Sequence, residues 1–265
     1  MSANHQTQFL TRIRAALGKT ADAVGKSRDR LFPQGPTEDQ KRLLAALKNQ
    51  TATQSKALLK KLVQVGNDNN ITVTPVKNYA AAGDAIAQLV SVKPPEWSDQ
   101  KCVAAWNNAT INKLALEKRL ASQEVLVHRA PLASAEAPQI DAQNRSDFIK
   151  IVSDALIGVT GADFCIADTA TLVMRTRPAE ARTVSLLPTI HVAVIHKSQI
   201  IADLKTLYTI LRWDPKAAAT GLTNCMTFIT GPSKTADIEA IMVAGVHGPR
   251  EVYLYVVTDE MNFIS

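Results

Sequence analysis

Cysteine is scarce in this chain. Three cysteines in 265 residues, Cys102, Cys165 and Cys225, form no C-x-x-C pair, so the chain alone lacks the ligand spacing of an iron–sulfur cluster. Each lies in an apolar, strand-like run, which suits a small buried hydrophobe. Of the five histidines, His191 and His196 are close in sequence, but a five-residue offset along a strand puts them on opposite faces. No zinc site is expected, and no metal or cofactor is assigned to this chain. There is no uninterrupted apolar run of about 18 residues and no charged n-region followed by an apolar h-region, so neither a membrane span nor secretion is expected. A cytoplasmic location is the expectation.

Aromatic residues make up only 5% of the chain, and none interleaves with its basic residues as a nucleic-acid surface would require. The basic residues are unevenly placed. Residues 1 to 61 hold twelve Lys or Arg against four acids, while the remainder holds 18 against 20. The net charge of +6 therefore belongs to the N-terminal arm, a segment suited to an acidic partner subunit or to simple solvation. Hydrophobic residues are 46% of the chain, enough for a large core. Residues 1–54 are expected to form a basic helical arm and 55–265 one α/β domain.

Phe9, Ile13 and Leu17 recur at helical spacing up to Gly18, and Thr37 with Gln40 reads as a capping box opening a second helix. From Lys56 onward, helical segments alternate with short apolar strands at Ile71–Val73, Lys101–Ala105 and Glu124–Val127. Further strands are expected at Ile190–Ile195 and Glu251–Val257, and a helix at Ile200–Trp213. That alternation predicts an open, mostly parallel sheet with helices on both faces. Residues 130 to 145 read as a loop, and Ser146 as the cap of a helix through Leu156. Arg175 to Ser185, with Arg175, Arg177 and Arg182, reads as a mobile or irregular loop.

Two stretches carry candidate chemistry. In the first, apolar runs flank Asp168-Thr169-Ala170-Thr171. The gap is too short for a crossover helix, so a hairpin-like turn presents a carboxylate and two hydroxyls. It is either a structural Asx-type turn or a ligand-facing loop with Asp168 as the catalytic candidate. In the second, the strand Thr227–Thr230 is followed by Gly231-Pro232-Ser233-Lys234-Thr235-Ala236-Asp237 and a segment with helical spacing, then by Val246-His247-Gly248-Pro249-Arg250 and the next strand. This reads as a strand–helix–strand unit whose helix mouth lies above the carboxyl edge of the sheet, with Ser233 or Thr235 as N-cap. An anionic small molecule could dock on Gly231, Ser233, Lys234, Thr235, Asp237, His247 and Arg250, together with Thr169 and Thr171. A merely well-capped helix would carry the same residues.

On four ordered blocks the chain resembles the LUD-domain family, in its lactate-utilization protein C branch. They are Thr160–Asp163 with Ile166–Val173, Ser185–Pro188 with Ile190-His191, Gly231–Glu239, and Gly245–Arg250. The resemblance is dense over 158–257 and looser over 56–157. It implies a fold similar to the NagB/RpiA/CoA-transferase-like group and a part in oxidising L-lactate to pyruvate with iron–sulfur partner subunits. The turn departs from relatives, which carry Glu-Thr-Gly-Thr: Asp168 is one methylene shorter, and Ala170 adopts positive φ less readily than glycine. Two functions follow as expectations. One is a non-redox subunit of a lactate-utilization system that binds an anion or supports its iron–sulfur partners. The other is a stand-alone enzyme handling acyl or phosphate groups, with Asp168 as nucleophile or base.

Overall fold

The computed structural model describes residues 3–18, 35–132, 142–215, 225–236 and 242–259. After α1 (Ala3–Ala16), α2 (Glu38–Lys48) and α3 (Ala52–Asp68), the chain enters β1 (Ile71–Val76), α4 (Tyr79–Val92), β2 (Cys102–Ala105), α5 (Ala109–Asn112), α6 (Leu116–Leu120) and β3 (Leu126–Arg129). It continues through α7 (Ala142–Asp154), β4 (Ile157–Thr160), β5 (Phe164–Ile166), β6 (Thr171–Arg175), α8 (Thr183–Leu186), β7 (Ile190–His196), β8 (Ile200–Ile201) and α9 (Leu204–Trp213). The last elements are β9 (Met226–Ile229), β10 (Lys234–Ala236), β11 (Met242–Ala244) and β12 (Glu251–Val257).

Local signals explain most helix starts. Thr37 and Thr51 each close a capping box, with Gln40 and Gln54, so two first-turn donors are satisfied reciprocally. Gly18 ends α1 at φ +63°, a backbone that glycine adopts at no steric cost. Asp203 rather than Ile200 opens α9: its carboxylate accepts from the N–H and hydroxyl of Thr206, both at 2.7 Å. Ile200 and Ile201 pair with β5 instead. Between β2 and β3 the helical stretch is split into α5 and α6, with Ala115 between them at φ +46°. The helix expected from Ser146 starts upstream, at Ala142; residues 133–141 lie outside the described residues.

The main sheet has six parallel strands in the order β1-β12-β7-β4-β2-β3. Every residue of β4 and β7 is buried, so both faces of the sheet centre are covered, as parallel sheets require. α3 packs on β1, α4 on β1 and β12, α7 on β2, and α8 on β4 and β7. The open, mostly parallel α/β sheet expected from the alternation is present. A second sheet, in the order β8-β5-β6-β9, contains the antiparallel hairpin β5–β6. It closes its own small core of Ile166, Val173, Ile201, Leu207 and Leu211 against α9.

Gly158 marks where α8 presses closest on the main sheet. It pairs with His191 of β7, and an added Cβ would collide with the Val184 carbonyl and the Pro188 ring. Gly158→Ala is expected to cost about 1–3 kcal/mol, the usual range for overpacking. The loss should show as a lower urea midpoint at unchanged slope; a midpoint equal to that of wild type would disprove the close contact.

Candidate functional site

The turn between β5 and β6 is built as a clasp. Ala170 takes φ +49°, so the left-handed position is kept although the residue is alanine. The hydroxyls of Thr169 and Thr171 lie 2.7 Å apart, and that of Thr171 is 2.7 Å from that of Thr230 on the segment after β9. Asn69, just before β1, donates its side-chain amide to the Thr169 carbonyl at 3.0 Å. The Asp168 carboxylate is paired with Lys61 of α3, and the two side chains are 43% and 52% exposed. Such an exposed pair contributes under about 1 kcal/mol, so it leaves Asp168 open to competition from a ligand. Beside the turn is a cavity of about 460 Å³ lined by Asp168, Thr169, Thr171, Asp203, Lys205 and Thr230 over an apolar floor that includes Phe228. The Asp203 carboxyl is held below its usual range by the Thr206 hydroxyl, then by the Thr206 N–H.

Beyond Thr230 the structure departs from the expected unit. Residues 234–236 and 242–244 are strands of an antiparallel hairpin, with Lys234 opposite Ala244, where sequence spacing suggested a helix. Ser233 is therefore no N-cap. Its N–H donates to the Pro249 carbonyl at 2.8 Å, and its carbonyl accepts from Gly245 N–H at 2.9 Å. Its hydroxyl accepts from His247 N–H at 3.2 Å. The helical reading rested on Ile238, Ile241, Met242 and Gly245, of which Ile238 and Ile241 lie outside the described residues; at Met242–Ala244 the backbone pairs with β10 instead. The strand over 227–230 also sits elsewhere: β9 joins the second sheet beside β6, outside the main sheet. Asp237 lies outside the described residues.

The edge of the sheet is also opposite to the one expected. Arg250 immediately precedes β12 and Asn69 precedes β1, and the register places Ile71 beside Val252, so both lie at the amino edge. Gly231, at φ +114°, passes so close to Asn69 that a Cβ would meet its carbonyl. The structure thus brings the Asp168 turn, the Gly231–Ser233 segment and the His247–Arg250 loop to one edge. It does not bring them to one cavity. Arg250 and His247 line a separate space of about 460 Å³ with Trp97, Ser153, Leu187 and Thr189. There Arg250 is ion-paired with Glu96, and its N–H donates to the Thr189 carbonyl at 2.8 Å. Lys234 is exposed and Thr235 half-buried on β10.

Lys61, Asn69, Trp97, Asp203 and Lys205 were missed by sequence reasoning. Lys61 and Asn69 meet the turn across about 100 residues, and no local spacing signals such a contact. The stretch expected to be a mobile or irregular loop is irregular over residues 176–182 and helical only in α8, and hydrogen bonds tie it down at the opposite edge. Asp163 accepts from the Arg175 N–H at 2.7 Å, from Arg175 Nε at 3.0 Å and from Arg177. Arg177 and Asn108 in turn donate to Glu180, at 3.2 and 2.8 Å. Among the cysteines, Cys165 is buried and Cys102 and Cys225 are half-buried, and none of the three forms a disulfide. Burial pushes the Cys165 thiol up to about 12, so it is inert as a nucleophile. Among the described residues no group of three or more His, Cys, Asp or Glu could hold a metal ion, and no helix is long and apolar enough to cross a membrane.

Together these features define an α/β protein with a parallel six-stranded sheet and a loop-built candidate site at its amino edge. The chain belongs to the LUD domain family, whose model matches residues 59–257. It is 39% identical over 119 residues to a lactate utilization protein C of Anoxybacillus flavithermus, which is 45% of this chain and 51% of that protein. To the protein of the same name from Halalkalibacterium halodurans it is 31% identical over 176 residues, 66% of this chain and 70% of that one. To that of Bacillus subtilis it is 36% identical over 121 residues, covering 45% and 49%. The chain thus matches about half the length of the first and third of these relatives. A solved structure, a DUF162 family protein from Deinococcus radiodurans, aligns at 19% identity and a TM-score of 0.48, covering 77% of this chain and 98% of that chain.

Proposed function

We propose that this chain serves an L-lactate utilization system in the cytoplasm as a subunit without a redox group of its own. It binds a small anion at the amino edge of its sheet and leaves electron transfer to iron–sulfur partner subunits. The observation that carries this reading is membership of the LUD domain family, with relatives named lactate utilization protein C at 31% to 39% identity. The geometry supports it: Ser233 fastens the His247 loop, and His247 and Arg250 share one cavity. A guanidinium already oriented by Glu96 suits carboxylate or phosphate, because its planar donors match two oxygens at once. The arm, residues 1–54, is assigned to partner contact, since Phe9 and Ile13 of its first helix and Leu17 just after it are exposed.

Removing the protein is expected to abolish lactate-dependent reduction, and an iron–sulfur protein should co-purify with it at low salt. A chain that stays alone at every salt concentration, and whose removal leaves lactate-dependent reduction intact, would end the reading. Arg250→Gln is expected to weaken binding of phosphate about tenfold or more, the effect of losing one charged hydrogen bond; titration calorimetry reads this directly.

A second reading rests on Asp168. Its carboxylate is half-exposed beside a cavity whose walls carry Thr169, Thr171, Thr230 and Lys205, an arrangement suited to a nucleophile or general base acting on an acyl or phosphate group. On this reading Asp168→Asn removes turnover of acyl-CoA or phosphate esters. Unchanged turnover by that variant would eliminate the carboxylate from the chemistry.

A further inference from the structure

The walls of the Arg250 cavity are more apolar than a bare carboxylate or phosphate would need. Trp97 is 62% exposed, and Leu186, Leu187 and Val246, which also line this cavity, are exposed as well. Large apolar side chains gathered in water around one concave space mark a binding site. Its volume of about 460 Å³ lies within the roughly 300–1,000 Å³ of small-molecule pockets.

We propose that this cavity takes a planar aromatic anion, its ring against the Trp97 indole and its phosphate or carboxylate on Arg250 and His247. This deepens the anion-binding reading above and rests on it. Arg250 is oriented before any ligand arrives. Its side chain lies across Gly245, where φ is +80° and an added Cβ would collide with the Arg250 side chain. Glu96 engages Nη1, yet half of the arginine side chain stays exposed. The Arg250 N–H is anchored on Thr189, so the residue that meets the anion is held from both ends. The Glu96 carboxylate reduces the net positive charge of the site, which disfavours a bare multivalent anion. It also accepts hydrogen bonds, as does the Ser153 hydroxyl, and the buried Thr189 hydroxyl has no hydrogen-bond partner. A ligand with an aromatic ring, hydroxyl or amino donors and a single anionic group meets all of these groups. Stacking on an indole supplies affinity that a small anion cannot obtain.

The test is calorimetric titration of the full chain with inorganic phosphate, adenosine, adenosine monophosphate and phenylpyruvate, the last two presenting the anion as phosphate and as carboxylate. At least one aromatic anion is expected to bind about tenfold more tightly than phosphate, and more tightly than adenosine. Trp97→Leu should lower that affinity about tenfold and leave phosphate binding unchanged, while Trp97→Phe retains most of it. Arg250→Gln should weaken the aromatic anion and phosphate alike. Trp97 is exposed, so its variants should keep the wild-type urea midpoint. Equal affinities for phosphate and the aromatic anions, with Trp97→Leu silent, would overturn aromatic selection and leave the anion reading standing. Absence of binding by all four probes would overturn both and mark the apolar rim as a protein contact face.

Discussion

Asp163→Ala is expected to destabilise the protein by about 3–5 kcal/mol, the cost of removing one partner from a buried ion pair and stranding the other. The Asp163 side chain is only 6% exposed and that of Arg175 11%. Arg175 donates to this carboxylate through its backbone N–H and Nε, and Arg177 through its guanidinium. With the carboxylate gone, two guanidiniums face each other in a space that admits little water. The damage should spread, because Arg177 also holds Glu180. Glu180 accepts from Asn108, and the adjoining Ala179 and Ala181 carbonyls accept from Asn107 N–H and the Trp106 indole. This cluster seals the carboxyl ends of β2 and β4. Urea unfolding is the measurement. A loss below about 1 kcal/mol would mean that the pair is hydrated and contributes no more than a surface salt bridge. Arg177→Met, at a side chain 34% exposed, should cost less than Asp163→Ala because one guanidinium remains for the carboxylate.

Acid should unfold this protein through His191. The ring is fully buried on β7, and desolvation lowers its pKa from 6.5 to about 4. Nε2 lies 2.8 Å from the Thr160 hydroxyl, which in turn donates to Met174 Sδ at 3.8 Å; Nδ1 is buried without a partner. The chain of donors is consistent with a neutral ring protonated on Nε2, since an unpaired acceptor at Nδ1 costs less than an unpaired N–H. Between about pH 6.5 and pH 4 the unfolded chain binds a proton at this site and the folded one does not. Stability from this residue is therefore complete above about 6.5 and is lost as pH falls through that window. A displacement of this size corresponds to ~3 kcal/mol. His191→Gln should flatten the dependence of the urea midpoint on pH between 6.5 and 4. An unchanged slope in that variant would assign acid sensitivity to other groups.

Much of the fold could be read from residues close together in the chain. The capping box at Thr37, the glycine stop at Gly18, the hairpin at Asp168–Thr171 and the apolar strands β1, β2, β7 and β12 are each specified within a few residues by period and turn chemistry. The main error has a local cause too. Ile238, Ile241, Met242 and Gly245 match helical spacing, yet the flanking segments pair as β10 and β11. Ser233 N–H donates to Pro249 and Gly245 N–H donates to Ser233, hydrogen bonds between chain segments that no local spacing signals, and such contacts override propensity.

For the site, residue types were legible and partners were not. Arg250 and His247 could be named, but their neighbours Trp97 and Glu96 lie about 150 residues away in the chain. Asp168 could be named, but Lys61 and Asn69 could not. The carboxyl edge was expected because a helix was expected there; without that helix, the strand register alone sets the position.

The sequence by itself determined the alternation of strands and helices, the caps, the basic arm and the family, because each rests on covalent neighbours or on ordered blocks of residues. The tertiary structure alone decided which edge carries the loops, that Asp168 and Arg250 open on different cavities, and that the arginine segment is held by Asp163. The first two outcomes depend on strand order and on side chains brought together across 100 residues or more, which no spacing along the chain encodes; the third depends on the β5–β6 pairing that returns Arg175 to Asp163.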